Sequence, residues 1–156
     1  LTRIHKRWYN VGRACVVPPF FFGGNMTRQE YEEILQMKSV FYAKELWGAN
    51  YDWPVILNGR LRKNLGIFAA TTDKECWIEI NPKIVEYDYV SDCILLHELC
   101  HWWLWSIGRN WKDNAPEFIL ECRRIGERDI FENEDLTKFA PTDKMVELVK
   151  KFERSL

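Results

Sequence analysis

Two histidines four residues apart enclose a glutamate in the pentapeptide His97-Glu98-Leu99-Cys100-His101. On a helix, side chains at i and i+4 share a face, so both imidazoles can hold one divalent metal while Glu98 serves a bound water. That is the local chemistry of a zinc-dependent hydrolase. The bare pattern also recurs by chance on ordinary helices, so its surroundings decide. Residues 90–107 read VSDCILLHELCHWWLWSI, and beyond Cys93 the strongly polar side chains are His97, Glu98, His101 and the small Ser106. A helix apolar around nearly its whole circumference belongs in a core. Burying ionisable groups without partners is costly or shifts their pKa, and a metal ion satisfies all three at once. Trp102, Trp103 and Trp105 must face different directions, and packing is the expected role of at least two of them.

The elements that must position this helix are legible on both sides. Thr27 reads as an N-cap with Glu30 completing a capping box, and apolar residues from Tyr31 to Leu46 recur at helical spacing until Gly48. Three short strands follow at 54–57, 65–71 and 76–80; the last two are joined by a polar turn at Thr72-Asp73-Lys74, which implies a small antiparallel sheet. Asn81-Pro82 breaks the last strand, Asp88 or Ser91 opens the motif helix and Gly108 closes it. Asn114 is the expected N-cap of the next helix, with Pro116 in its first turn, Glu117 at the third position and Gly126 as its stop. A final helix from Thr142 carries Met145, Leu148, Val149 and Phe152 on one stripe, expected to pack on the domain. The class is α+β: a three-stranded antiparallel sheet packed with helices around a buried HExxH helix.

At 156 residues, with 47% hydrophobic and 15% aromatic content, the chain suits one domain over 1–156, comprising an N-terminal arm (1–26), a core (27–126) and a C-terminal helical extension (127–156). A net charge of −1 and a pI near 6.4 give no global pull toward nucleic acid or membrane. Two local basic patches stand out: Arg3, Lys6, Arg7, Arg13 and Arg28 near the N-terminus, and Arg60, Arg62 and Lys63 in a loop. Either is a solvated surface or a phosphate contact. Five cysteines without a C-x-x-C pair argue against a disulfide framework or zinc ribbon, and favour a reducing compartment. No apolar run is long enough to span a bilayer and no signal-peptide pattern is present, so an intracellular protein, cytoplasmic or at the nucleoid or nucleus, is expected. VVPPFFFGG, at 16–24, reads as a docking loop.

From about Gly59 to Gly126 the chain resembles the SprT-like metallopeptidase domain, the group that includes Spartan-type DNA–protein crosslink proteases. The resembling residues are Arg62 and Gly66, Ile78-Glu79-Ile80-Asn81-Pro82, the pentapeptide itself, Pro116-Glu117-Phe118 and Arg123-Arg124-Ile125-Gly126, all in the family's order. The resemblance implies a zincin-like fold and a Zn2+ peptidase in which His97 and His101 bind the metal and Glu98 activates water. It also exposes a departure. Where the family carries a third ligating histidine before Pro-Glu-Phe, this chain has Asn114-Ala115, and its remaining histidine is the distant His5. A carboxylate is the favoured replacement, with Glu117 assigned to the third position; the alternatives are Glu121, an incomplete site using Asn114 or water, and a scaffold that has lost catalysis. Substrate would lie extended along a sheet edge, around residues 77–80, with Tyr87 and Tyr89 either donating to the oxyanion or packing. The expected function is endopeptidase cleavage of flexible or DNA-associated proteins, with Arg60, Arg62 and Lys63 on DNA. The alternative is a catalytically degenerate module that binds protein or nucleic acid.

Overall fold

The computed structural model describes residues 26–156. The basic N-terminal cluster apart from Arg28, the loop at 16–24, His5 and Cys15 lie outside the described residues. Helix α1 spans Arg28–Trp47, capped as expected: Thr27 Oγ1 accepts from Glu30 N–H at 3.2 Å, and Gly48 ends the helix in the left-handed region at φ 62°. Strands β1 (Val55–Leu57), β2 (Gly66–Ala70) and β3 (Cys76–Ile80) follow. The motif helix α2 runs Val90–Ser106, then come α3 (Pro116–Ile125) and α4 (Asp143–Arg154).

The α+β class is as expected, but the sheet is mixed rather than wholly antiparallel. Strand order is β1-β3-β2. The hairpin pairs β2 with β3 antiparallel from Gly66↔Ile80 to Ala70↔Cys76, whereas β1 lies parallel to β3, Val55 opposite Ile78. A chain reading alone suggests a meander; α1 overrides it by claiming the other edge of β1. Glu32 accepts from the N–H of Leu57 and Gln36 from that of Val55, both at 2.8 Å, and the Arg28 guanidinium donates to the Leu57 carbonyl. With that edge satisfied by helix side chains, β3 inserts on the opposite side of β1, and β1 has no edge left for another strand.

Helix α2 runs through the centre. Leu95, Leu96, Leu99 and Cys100 are fully buried, and α2 touches β2, β3, α1, α3 and α4. Trp102 packs edge-on against Tyr51 and Trp103 stacks on Trp47 at 5.7 Å, the packing role expected for two of the three tryptophans. Neither Asp88 nor Ser91 caps α2. Tyr89 precedes it at φ 63° without a side-chain cap, while Asp92 in the first turn is buried against Lys38 (2.8 Å) and Tyr42 (2.6 Å). The α3 cap shifts by one residue as well. Ala115 takes the position in an extended conformation, because the residue before a proline is held there and Pro116 must then start the helix. The α4 stripe of Met145, Leu148, Val149 and Phe152 is buried as expected, with Thr142 as its cap. Cys76, Cys93, Cys100 and Cys122 are free and buried. No described helix is long and apolar enough to cross a membrane.

Candidate metal centre

His97 and His101 stand on successive turns of α2, their rings 4.9 Å apart and nearly perpendicular. Both Nε2 atoms face one oxygen. Asp113 Oδ1 lies 3.3 Å from His97 Nε2 and 2.9 Å from His101 Nε2. Ligand atoms around a tetrahedral metal with bonds of about 2.0–2.2 Å sit roughly 3.4 Å from one another, and the two imidazole–carboxylate distances are close to that spacing. Tautomer logic points the same way. His101 Nδ1 is against the backbone carbonyl of Trp111, which can only accept, so Nδ1 carries the hydrogen and Nε2 presents a lone pair to the Asp113 carboxylate. Two lone pairs face to face require a cation or a proton between them. The donor set fits a divalent metal.

Aromatic rings hold this geometry. Phe118, from the first turn of α3, stacks on His101 at 4.0 Å and meets His97 edge-on at 5.0 Å; Phe68 of β2 is near-parallel to the His101 ring at 6.3 Å. Asp113 sits in the loop between α2 and α3, where the Ala115 N–H bonds to the Lys112 carbonyl at 3.0 Å and closes a turn around it. Its side chain is 72% exposed while that of His101 is 8% exposed, so the cluster opens to solvent on the Asp113 side.

Glu98 completes the arrangement. A ligand atom from each of His97, Glu98 and His101 falls within 4.8 Å of the others. Burial pushes the Glu98 carboxyl up to about 7, against the pull of His97 and a backbone hydrogen bond from Phe68. The two histidines diverge. Burial opposes charge on His97, yet hydrogen bonds with Cys122 and Glu127 and the negative charges of Glu98 and Glu127 outweigh it and hold the ring above the usual histidine range. Burial holds His101 below that range. The negative charges of Glu98 and Glu127 beside His97 favour a cation there, whether a proton or a metal ion.

The carboxylates singled out in the sequence are engaged elsewhere. Glu117 pairs with Arg109 at 2.9 Å; Glu121 accepts from Trp47 Nε1 at 3.0 Å and pairs with Arg124. Each carboxylate is committed to these partners, and Asn114 is exposed. Tyr87 and Tyr89 line a separate cavity of about 490 Å³ with Lys38 and Asp92. Sequence reasoning missed Asp113, one residue before the position it searched, together with Cys122 and Glu127. The signal for Asp113 was Pro116: once Ala115 is recognised as the cap, the polar residues before it belong to a loop free to turn toward α2.

Gly66 explains how β2 approaches so closely. A Cβ there would lie 2.6 Å from Ile94 Cγ2 and 3.2 Å from Glu98 Cγ. Gly66→Ala is therefore expected to push Glu98 out of place and cost about 1–3 kcal/mol by overpacking; a denaturation midpoint equal to that of the parent would refute this.

A family model for the SprT-like family matches residues 31–142. Over 97 residues the chain is 32% identical to Protein SprT-like of Staphylococcus aureus (strain MRSA252), an alignment covering 60% of this chain and 62% of that relative. The chain thus spans less than two thirds of the relative's length. No solved structure matches it. Matched across most of its length, and with the matched segment carrying the histidine helix and Asp113, the chain belongs to the SprT-like family.

Proposed function

We propose that this protein is a metal-dependent endopeptidase, with zinc the ion best suited to its donors, His97, His101 and Asp113 its ligands, and Glu98 its general base. One observation carries the reading: two imidazole nitrogens and a carboxylate oxygen converge beside a buried glutamate. A divalent ion held there would lower the pKa of its water toward 7 and polarise a scissile carbonyl. Glu98 would serve as the proton acceptor and donor beside the ligands, its carboxyl tuned close to neutrality for both directions of transfer. Phe68 and Phe118 keep the rings in register. Asp113 takes the third position in place of Glu117.

Strand β2 is the substrate edge, correcting the expectation for residues 77–80, which form the central strand. The N–H of Thr71 bonds to the Glu75 carbonyl and that of Asn81 to the Leu65 carbonyl. Alternation then leaves the outward N–H and C=O groups of Gly66 and Ala70 and the C=O of Phe68 on the open side, with the Phe68 N–H turned to Glu98. An extended peptide can pair there, which favours flexible over compact substrates. Arg60, Arg62 and Lys63 are exposed in the loop leading into this strand, and protein bound to nucleic acid is the substrate class that loop suits. Binding to single-stranded DNA that is absent even at low salt would remove the nucleic-acid part of the proposal.

The test is metal content of protein purified without added metal, together with cleavage of unfolded casein before and after chelation and zinc restoration. Stoichiometric metal and chelator-sensitive cleavage are expected. Bound metal without cleavage, or neither, would favour a binding module on the same scaffold. Asp113→Ala is expected to weaken zinc at least about tenfold in competition with a chromophoric chelator, and Asp113→His to retain it. Undiminished binding in Asp113→Ala coupled with loss in Glu117→Ala would return the third position to Glu117.

A further inference from the structure

The second nitrogen of His97 faces a carboxylate that the metal chemistry above does not use. Gly126 closes α3 in the left-handed region at φ 92°, and a Cβ at that position would lie 2.6 Å from Lys144 Cβ, so the packing of α4 and the backbone together fix the turn. Immediately after it, the N–H of Glu127 bonds back to the Cys122 carbonyl at 3.0 Å. The turn directs the Glu127 side chain inward, where it is 5% exposed and its Oε2 lies 3.8 Å from His97 Nδ1. His97 is its ion-pair partner. Cys122, also buried, comes within 4.8 Å of both.

We propose that Glu127 is the positioning residue of His97: its carboxylate, paired with the imidazole across 3.8 Å, keeps the ring proton on Nδ1 and thereby presents Nε2 as a lone pair toward His101 and Asp113. This rests on the metal-site reading above. A buried carboxylate is costly unless something at the site uses its charge, and this one lies beside the Cys122 thiol and the far side of the His97 ring. The two histidines are thus oriented by different means, His101 by the neutral Trp111 carbonyl and His97 by a full negative charge. A carboxylate behind a ligating imidazole fixes the ring and raises the basicity of the coordinating nitrogen. The opposite arrangement, a metal held by His97 Nδ1, Cys122 and Glu127, would turn the His97 lone pair away from His101 and Asp113 and dismantle the convergence of Nε2 atoms.

Three measurements on the full chain test this. Zinc affinity by chelator competition is expected to fall about 10–100-fold in Glu127→Met and less in Glu127→Gln, which keeps an acceptor oxygen. In the 1H–15N spectrum of the zinc-loaded parent, the His97 Nδ1–H should be protected from solvent exchange, and in Glu127→Met that protection should be lost. Cobalt substitution should give a spectrum without a thiolate charge-transfer band. Affinities within twofold of the parent would overturn the inference while leaving the peptidase reading intact, as would a fall matched by lower Tm of the metal-free protein with the ring proton still protected. A thiolate band would also overturn it, by placing the metal on Cys122. A parent that binds no metal would sink both readings.

Discussion

Glu98→Gln is expected to lower turnover about 10²–10⁴-fold while leaving zinc content unchanged. The amide keeps the size of the carboxylate and can still accept the Phe68 N–H, but it cannot take a proton from water. The same substitution should stabilise the metal-free protein, in a pH-dependent way. The folded carboxyl titrates near 7 and an unperturbed glutamate near 4.5, so the fold binds this proton more tightly than the unfolded chain does. Below about pH 4.5 both states are protonated and Glu98 costs nothing. Above about pH 4.5 the unfolded chain releases a proton that the fold retains, so the cost grows to about 3 kcal/mol by pH 7 and then levels off as the folded carboxyl ionises too. Parent and variant should therefore melt together in acid, diverge between about pH 4.5 and 7, and stay apart at higher pH, with the variant higher. Unchanged turnover would remove Glu98 from the chemistry, and an equal Tm at pH 8 would mean its charge is not costly.

That trade-off explains which parts of the site the chain disclosed. His97, Glu98 and His101 were legible because they break the apolar pattern of α2, and a polar residue in a core helix signals a function. Helix α1, the β2–β3 hairpin and the α4 stripe were legible because caps, turns and periodicity are local. The parallel placement of β1 was not, because it depends on Glu32 and Gln36 reaching β1 from more than twenty and nearly twenty residues earlier in the chain. Asp113 and Glu127 escaped for a related reason. Each lies in a loop beside a helix end, where composition looks like ordinary solvated surface, and only the approach of α3 to α2 turns one toward the Nε2 side of His97 and the other toward Nδ1. Glu117 attracted attention through its place in a helix start, yet the proline that marks that start moved the cap and left Glu117 to Arg109.

The largest effect on stability is expected in the first turn of the motif helix. Asp92 accepts from Lys38 Nζ at 2.8 Å and from the Tyr42 hydroxyl at 2.6 Å, and both members of the ion pair are about 95% buried. Asp92 also sits in the first turn of α2, where the helix dipole favours an anion. Asp92→Ala removes the charge that Lys38 faces, and breaking a buried pair from one side costs about 3–5 kcal/mol. Replacing both partners, Lys38→Met with Asp92→Leu, removes the buried cation together with its carboxylate and should recover much of that loss, leaving mainly the Tyr42 hydroxyl without its acceptor at about 1–3 kcal/mol. Adding Tyr42→Phe should recover more. The ordering, single variant least stable and triple most stable of the three, is the readout in chemical denaturation; a single variant as stable as the triple would show that the pair contributes nothing. The consequence reaches the site because this contact locks α1, which already holds β1, onto the helix that carries His97 and His101. Loosening it should free the two imidazoles to move apart, so zinc affinity in the Asp92→Ala protein is expected to fall in step with its stability, although Asp92 lies more than one turn of α2 before either histidine.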